Sequence, residues 1–270
     1  MILNRLRGFP IKNPSDFNDF TVAFGWKELP YVGGAAVRKH VTGAVYTTNE
    51  CPPEKSINFH HEMAHLPKFP SHLFFYCEMP PDHGGETPLC LSNLAYERIK
   101  QAEPELVEEL ALKGVKYTLI LPDNDDHSSN SGRGWQSAYM TSSKTEVEEL
   151  LNNQGYTFTW MSDGCLKTVS PVLPPIRVDP RSGKHTWFNN IVAAFSISDS
   201  RNDSKRVVTL GEEGSLLDTK KIENCQRILN ASAITFKWKR NDVLLLDNTL
   251  VLHARNAYSG NRKVLAAIFE

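Results

Sequence analysis

Cysteine is scarce and unorganised in this chain. Cys51, Cys77, Cys90, Cys165 and Cys225 are odd in number, widely scattered, and include no C-x-x-C pair. That pattern excludes a small disulfide-framework protein and a paired-cysteine zinc site, and it suits buried or free thiols in a reducing compartment. Long apolar runs are lacking too. None approaches the roughly 18 residues of a membrane span, and the opening MILNRLRGFP has no hydrophobic core long enough for a secretory signal. A cytoplasmic or organellar location is expected, and the glycosylation-type triplets at Asn202 and Asn230 have no secretory context. An excess of one charge is also missing. Thirty basic against 31 acidic side chains leave a net charge of −1, with no block of like charges. This argues against nucleic acid or an anionic membrane as partner and leaves a small molecule.

What is present is ordinary globular material, 40% hydrophobic and 23% charged. At roughly 150 residues per domain the length suggests just under two domains, but single β-barrels and sandwiches reach it as one. No repeat and no linker divides the chain. Phe17, Phe20 and Phe24, after Ser15 and before Gly25, predict a short N-terminal helix. Ser92 is expected to open a second helix, and a third is expected from Pro104 at N1 to Gly114 just past its end. Thr145 and Glu148 suggest a capping box before Leu150 and Leu151. A further helix is expected at about Thr219 to Leu229, burying Ile222, Cys225, Ile228 and Leu229. Strand-length runs cover Ala44–Thr48, Leu73–Met79, Val115–Leu121, Val207–Leu210, Val243–Leu246, Leu250–Leu252 and Val264–Phe269. The polar stretch Asp123–Gly134 reads as a mobile loop or lid, or equally as a plain surface loop.

Chemistry concentrates at Phe59-His60-His61-Glu62-Met63-Ala64-His65. Two readings compete. On a helix, His61-Glu62-x-x-His65 is the H-E-x-x-H pattern of zinc metallopeptidases, with the glutamate as general base. Pro52, Pro53, Pro67 and Pro70 confine such a helix to a few turns, and no amphipathic stripe surrounds it. On a strand, alternate residues share a face, so His60 and Glu62 point together and His61 points away. H-x-E is two thirds of a two-histidine, one-carboxylate facial triad, which leaves open positions on iron. His253 ends an otherwise apolar strand after the Asp247-Asn248 turn and is the candidate third ligand. His65, His72 and His83 lie among prolines and read as loop residues.

Phe59-His60-His61-Glu62-Met63-Ala64, Gly84-Gly85-Glu86-Thr87-Pro88, Asp247-Asn248 through His253-Ala254-Arg255, and Gly260-Asn261-Arg262 occur in this order. Together they resemble the motif set of the TauD/TfdA, clavaminate synthase-like family of Fe(II)/2-oxoglutarate-dependent oxygenases. The resemblance runs from Arg7-Gly8-Phe9-Pro10 to the last strand. It implies a single domain over residues 1–270, a double-stranded β-helix (jelly roll) that is mainly β with inserted helices and is short at its N-terminus. It implies that His60, Glu62 and His253 ligate Fe(II), and that Thr87 and Arg262 hold the distal carboxylate of 2-oxoglutarate, with Lys263 as the alternative cation if the strand register differs by one. The expected reaction is a dioxygenase oxidation, foremost hydroxylation, of a small molecule, consuming dioxygen and releasing succinate and CO2. Family branches that halogenate lack the metal carboxylate, so Glu62 points to oxygen insertion; Glu in place of Asp matches the clavaminate synthase side. Arg133 and Asn189 are candidate substrate contacts, with packing of Trp135 and Trp187 as the plainer explanation of those segments. A zinc metallopeptidase and a non-catalytic metal-binding barrel are the alternatives.

Overall fold

The computed structural model describes residues 3–129, 131–197 and 200–270. Its largest sheet has six antiparallel strands in the order Leu3–Leu6, Val243–Asp247, His72–Met79, Lys263–Phe269, Val45–Thr47 and His40–Thr42. Segments from both ends of the chain are thus neighbours. The three central strands read as unbroken apolar runs because both of their faces are buried. Leu73, Phe75, Cys77, Leu244, Leu246, Val264, Ala266 and Ile268 point into one core. Alternating with them, Phe74, Tyr76, Val243, Leu245, Leu265, Ala267 and Phe269 point into another. The second core is closed by the helix Pro14–Val22, whose Phe17 stacks on Tyr76 with ring centroids 5.1 Å apart.

A three-stranded sheet faces the first core: Ile57–His60, Val251–Arg255 and Leu89–Leu91. Phe75 from the large sheet reaches the His253 ring of the small one, 5.4 Å between centroids. The helices Ser92–Ala102, Pro104–Lys113 and Thr219–Ser232 cover the far side of the small sheet through Ile99, Leu110, Ile222, Cys225 and Leu229. A five-stranded sheet that includes Val115–Leu121 and Val208–Leu210 extends the structure. The two facing sheets, built by strands from both chain ends, make the double-stranded β-helix.

Most expected elements stand within a residue or two of their predicted ends. The capping details differ. Asn13 caps the first helix and Pro14 is its first residue, whereas Ser15 lies inside. The helix Lys144–Asn153 is capped by Ser143, whose side chain accepts from the Glu146 amide, so Thr145 and Glu148 form no capping box. Ser92 begins its helix without capping it, because its hydroxyl donates instead to the Trp187 carbonyl at 3.0 Å. The segment 123–134, apart from Asn130 outside the described residues, is tied by side chains rather than free. Asp123 accepts from Trp135 Nε1 and Gln136 Nε2, Asp125 accepts from the Gly134 amide, and Asp126 pairs with Arg201 at 2.6 Å.

The first strand is fastened to the large sheet by a fork. Arg7 Nε and Nη2 donate to the two oxygens of fully buried Asp242 at 2.6 and 2.7 Å. Burial alone would raise the Asp242 carboxyl, but Arg7 and the Lys239 amide outweigh it and hold the group below its usual range. A depressed carboxyl stabilises the fold above its unfolded pKa of about 3.9 and loses that contribution as pH falls through its folded value. Asp242→Asn is therefore expected to lower the melting temperature at pH 7 and to narrow its deficit at pH 3. Melts of both proteins at the two pH values check this, and a deficit that does not change with pH contradicts it.

Candidate functional site

His60 and His253 are directly opposite one another on antiparallel strands, with ring centroids 4.2 Å apart. The strand Ile57–His60 stops there, and the chain turns through Met63 in a left-handed conformation, φ 57°. This turn swings Glu62 back beside the two imidazoles. His253 Nε2 lies 3.7 Å from Glu62 Oε2, and one ligand atom from each of His60, Glu62 and His253 falls within 4.8 Å of the others. Among the described residues this is the one group of three or more His, Cys, Asp or Glu side chains that could hold a metal ion.

The electrostatics suit metal binding. His60 Nδ1 donates to the Asn58 carbonyl at 2.8 Å, which fixes its tautomer and leaves Nε2 with a lone pair. Burial, reinforced by His253, pushes the His60 imidazole down to about 3, so it is neutral at pH 7. Burial opposes the Glu62 charge, but Arg38, 2.9 Å away, and the two histidines hold the carboxyl below its usual range. Two imidazoles and one carboxylate form the donor set of non-haem Fe(II) sites.

His61 and His65 do not join this group, which corrects the helical H-E-x-x-H reading. His61 is fully buried on the opposite side, with its ring nitrogens at the Asn248 and Trp187 carbonyls and the Ser92 hydroxyl. His65 pairs with the Asn190 side chain at 3.1 Å. A strand and a tight turn, with no helix, carry the motif, so residues i and i+4 have no common face here.

Asn248 was noted in the sequence only as part of a turn motif. Its fully buried amide spans the site's foundation: Oδ1 accepts from the Glu62 amide at 2.7 Å, while Nδ2 donates to the Glu62 and Pro70 carbonyls at 3.0 and 2.7 Å. Two carbonyl acceptors and one N–H donor admit only this amide orientation. Its neighbour Asp247 faces the other way, toward Arg181 at 2.6 Å.

Thr87 and Arg262 share a cavity with the triad. They line it with Arg38, Thr48, Asn49, His60, Glu62, Phe75, His253 and Arg255. Gly84 and Gly85, both at positive φ, permit the approach: a Cβ on Gly84 would stand 2.2 Å from the Ala257 carbonyl, and one on Gly85 3.0 Å from Arg262 Cδ. The Thr87 hydroxyl accepts from Trp238 Nε1 at 3.1 Å, which leaves its own O–H to donate. Arg262 Nε donates to the Gly85 carbonyl, and no carboxylate among the described residues pairs with this guanidinium. Burial and nearby Arg255 push it down to about 10, still protonated at pH 7. Lys263 is exposed and pairs with Glu78 at 2.7 Å, so it is not the cation of this cavity.

A second cavity of about 120 Å³ adjoins the triad, sharing Arg38, Asn49, Ile57, His60 and Glu62 with the first. Its other walls include Tyr31, Ala36, His65, Tyr117, Leu119, Asn190, Ala194 and Ile197. Neither Arg133 nor Asn189 lines it. The Arg133 guanidinium donates to the Tyr31 and Gly34 carbonyls, and to Ser137 through its hydroxyl and carbonyl. Asn189 Nδ2 donates to the Pro175 carbonyl while Oδ1 accepts from the Ile191 amide, and it is the next residue, Asn190, that faces the cavity. Arg38, buried and stacked 4.2 Å above Tyr31, is the site residue that sequence reasoning missed. It sits in a stretch with no strand or helix period to flag it.

Comparison with known proteins shows the family of the chain. The family model described as taurine catabolism dioxygenase TauD, TfdA family matches residues 4–268. A clavaminate synthase-like protein of Arabidopsis thaliana is 46% identical over 263 residues, spanning 97% of this chain and 79% of that protein. The dapdiamide synthesis protein DdaC of Enterobacter agglomerans is 28% identical over 276 residues, spanning 98% and 80%. Among solved structures, AAD-2 in complex with Mn(II) and N-oxalylglycine superposes with a TM-score of 0.52 at 11% identity, covering 99% of this chain and 81% of its own, which speaks for the fold. No helix among the described residues is long and apolar enough to cross a membrane. The chain belongs to the taurine catabolism dioxygenase TauD, TfdA family of 2-oxoglutarate-dependent, non-haem iron oxidoreductases.

Proposed function

We propose that this protein is an Fe(II)- and 2-oxoglutarate-dependent dioxygenase that hydroxylates a small molecule, with His60, Glu62 and His253 as metal ligands. The observation that carries the reading is the meeting of these three side chains within 4.8 Å, between two cavities, one of which holds an arginine with no carboxylate partner.

Bound iron supplies the redox chemistry, in which substrate, dioxygen and 2-oxoglutarate give hydroxylated substrate, succinate and CO2. The chain supplies placement. His60 and His253 present imidazole nitrogens from adjacent strands, and Glu62 presents the one negative charge. Thr87 and Arg262 offer a hydroxyl and a planar fork to the distal carboxylate of 2-oxoglutarate. The apolar walls of the second cavity exclude water from the substrate side. Arg133, through Tyr31 and Gly34, and Asn189, through Pro175 and Ile191, position that wall rather than touch substrate.

Anaerobic addition of Fe(II) and 2-oxoglutarate should produce a visible metal-to-cosubstrate charge-transfer band that His60→Ala abolishes. A wild-type protein that shows no band contradicts the assignment. A band without substrate-stimulated succinate release identifies the non-catalytic barrel instead. Arg262→Gln should weaken 2-oxoglutarate by about tenfold to a hundredfold, the range for hydrogen bonds to a charged group, with Fe(II) affinity nearly unchanged. Titration of the band reads the first quantity and metal titration the second. An unchanged 2-oxoglutarate affinity would remove Arg262 from the cosubstrate site.

A further inference from the structure

We infer that Arg38 is the substrate anchor, and that the substrate presents a carboxylate or a comparable monoanion to it from the second cavity. The inference rests on the oxygenase reading and names the substrate class for that same site.

Charge balance carries it. The two adjoining cavities are lined by three guanidiniums, Arg38, Arg255 and Arg262, and by one carboxylate, Glu62. The described lining therefore holds two positive charges in excess. A divalent metal and the dianion of 2-oxoglutarate add no net charge, so the loaded site keeps that excess. Buried charge without a counterion is costly, and an anionic ligand is the remaining source of compensation.

Geometry selects Arg38 among the three. Arg262 belongs to the cavity of Thr87. Arg255 lines only the first cavity; its Nη1 and Nη2 go to the Asn49, Pro52 and Lys55 carbonyls and to Cys51 Sγ, and its Nε, like that of Arg38, is buried without a partner. Arg38 alone of the three lines the second cavity, where it is also the only Lys or Arg among the described lining residues. Its side chain is 7% exposed, and its Nε is buried with no hydrogen-bond partner. Nη2 is held by Glu62 at 2.9 Å, so the guanidinium stands beside the metal ligands while part of its fork is unused.

The Arg38 guanidinium is stacked on an aromatic ring of the same cavity wall. Tyr31 lies 4.2 Å from the Arg38 guanidinium and 4.8 Å from that of Arg133. Gly34 makes room for the ring, since a Cβ there would stand 2.2 Å from Tyr31 Cζ. An anion bound by Arg38 would leave the rest of the molecule among Ala36, Leu119, Ala194 and Ile197. The expected substrate is accordingly a small acid with an apolar body, held close to the triad by its charged end.

The test uses hexanoate and its neutral counterpart hexanamide as probes. Protein loaded with Mn(II) and saturating 2-oxoglutarate is titrated with each by calorimetry. Hexanoate should bind the wild type about tenfold or more tightly than hexanamide, the difference expected of a charge-assisted contact. Arg38→Met should erase that preference. Arg38→Lys should keep its sign with weaker binding, which decides the matter if the methionine variant does not fold. Equal binding of the two probes by the wild type, no saturable binding of hexanoate, or a full preference retained in a folded Arg38→Met protein overturns the inference. The Fe(II)/2-oxoglutarate band is recorded on the same wild-type protein. Its presence without an anion preference overturns this inference alone; its absence overturns the oxygenase reading and the inference with it.

Discussion

His253→Ala should lose stoichiometric metal binding and at least about a thousandfold of 2-oxoglutarate turnover, about 4 kcal/mol of transition-state stabilisation. The size follows from what the residue contributes. Among the described residues His253 is one of three metal-donor side chains within 4.8 Å of one another, and it is buried in a strand whose backbone pairs on both sides, with His60 and with Leu89. Neither neighbouring histidine of the motif can replace it. His61 is turned to the opposite side, and His65 is engaged with Asn190. Metal content per folded chain, measured after reconstitution and desalting, is the primary readout because it does not depend on knowing the substrate. His65→Ala is the informative companion. The facial-triad assignment requires that it keep one metal per chain, whereas a peptidase built on His61, Glu62 and His65 requires that it lose the metal and that His253→Ala keep it. One equivalent of metal retained in His253→Ala would dismiss the triad.

The central strands were legible because burial on both faces writes itself as consecutive apolar residues. Val243–Asp247 and Lys263–Phe269 were placed within a residue of their true ends for that reason. His60 and Glu62 were legible as a pair from the H-x-E spacing, although the strand ends at His60 and a turn, rather than strand alternation, sets Glu62 beside it. His253 stood out as an imidazole at the end of an apolar run. Arg38 had no such signal: its partners, Glu62 and Tyr31, are reached through loops, and loop contacts have no period. Arg133 was visible as a polar residue beside a tryptophan, but nothing local reveals that its donors are taken by carbonyls about a hundred residues away. Ser92 was legible as the opening of its helix, because serine is common at helix starts, but the partner of its hydroxyl was not. That hydroxyl donates to the Trp187 carbonyl, a contact only tertiary packing creates. Spacing therefore identified the ligand set, while the residues that orient it were set by contacts distant in sequence.

Asn248 shows what such an orienting contact is worth. Asn248→Leu keeps roughly the same volume but removes three hydrogen bonds, leaving the Glu62 amide, the Glu62 carbonyl and the Pro70 carbonyl buried without those partners. Each stranded polar group costs about 1–3 kcal/mol. Partial relaxation of the turn should bring the sum to about 3–5 kcal/mol, a large share of the stability of an ordinary domain. Asn248→Asp separates hydrogen bonding from shape: it keeps an acceptor for the Glu62 amide but turns a charge toward two carbonyls, so it should be no less destabilising than leucine. Because the amide clamps the backbone on both sides of Glu62, the folded fraction of either variant should also bind metal about tenfold to a hundredfold more weakly, the usual cost of losing a group that orients a ligand. Denaturant unfolding of the metal-free proteins measures the first effect, and Mn(II) titration at a temperature where the variants remain folded measures the second. The two effects come apart if Asn248 serves packing alone, since the variants would then lose stability while binding Mn(II) as tightly as the wild type. Loss of both places the control of the Glu62 carboxylate in a side chain that touches neither metal nor substrate.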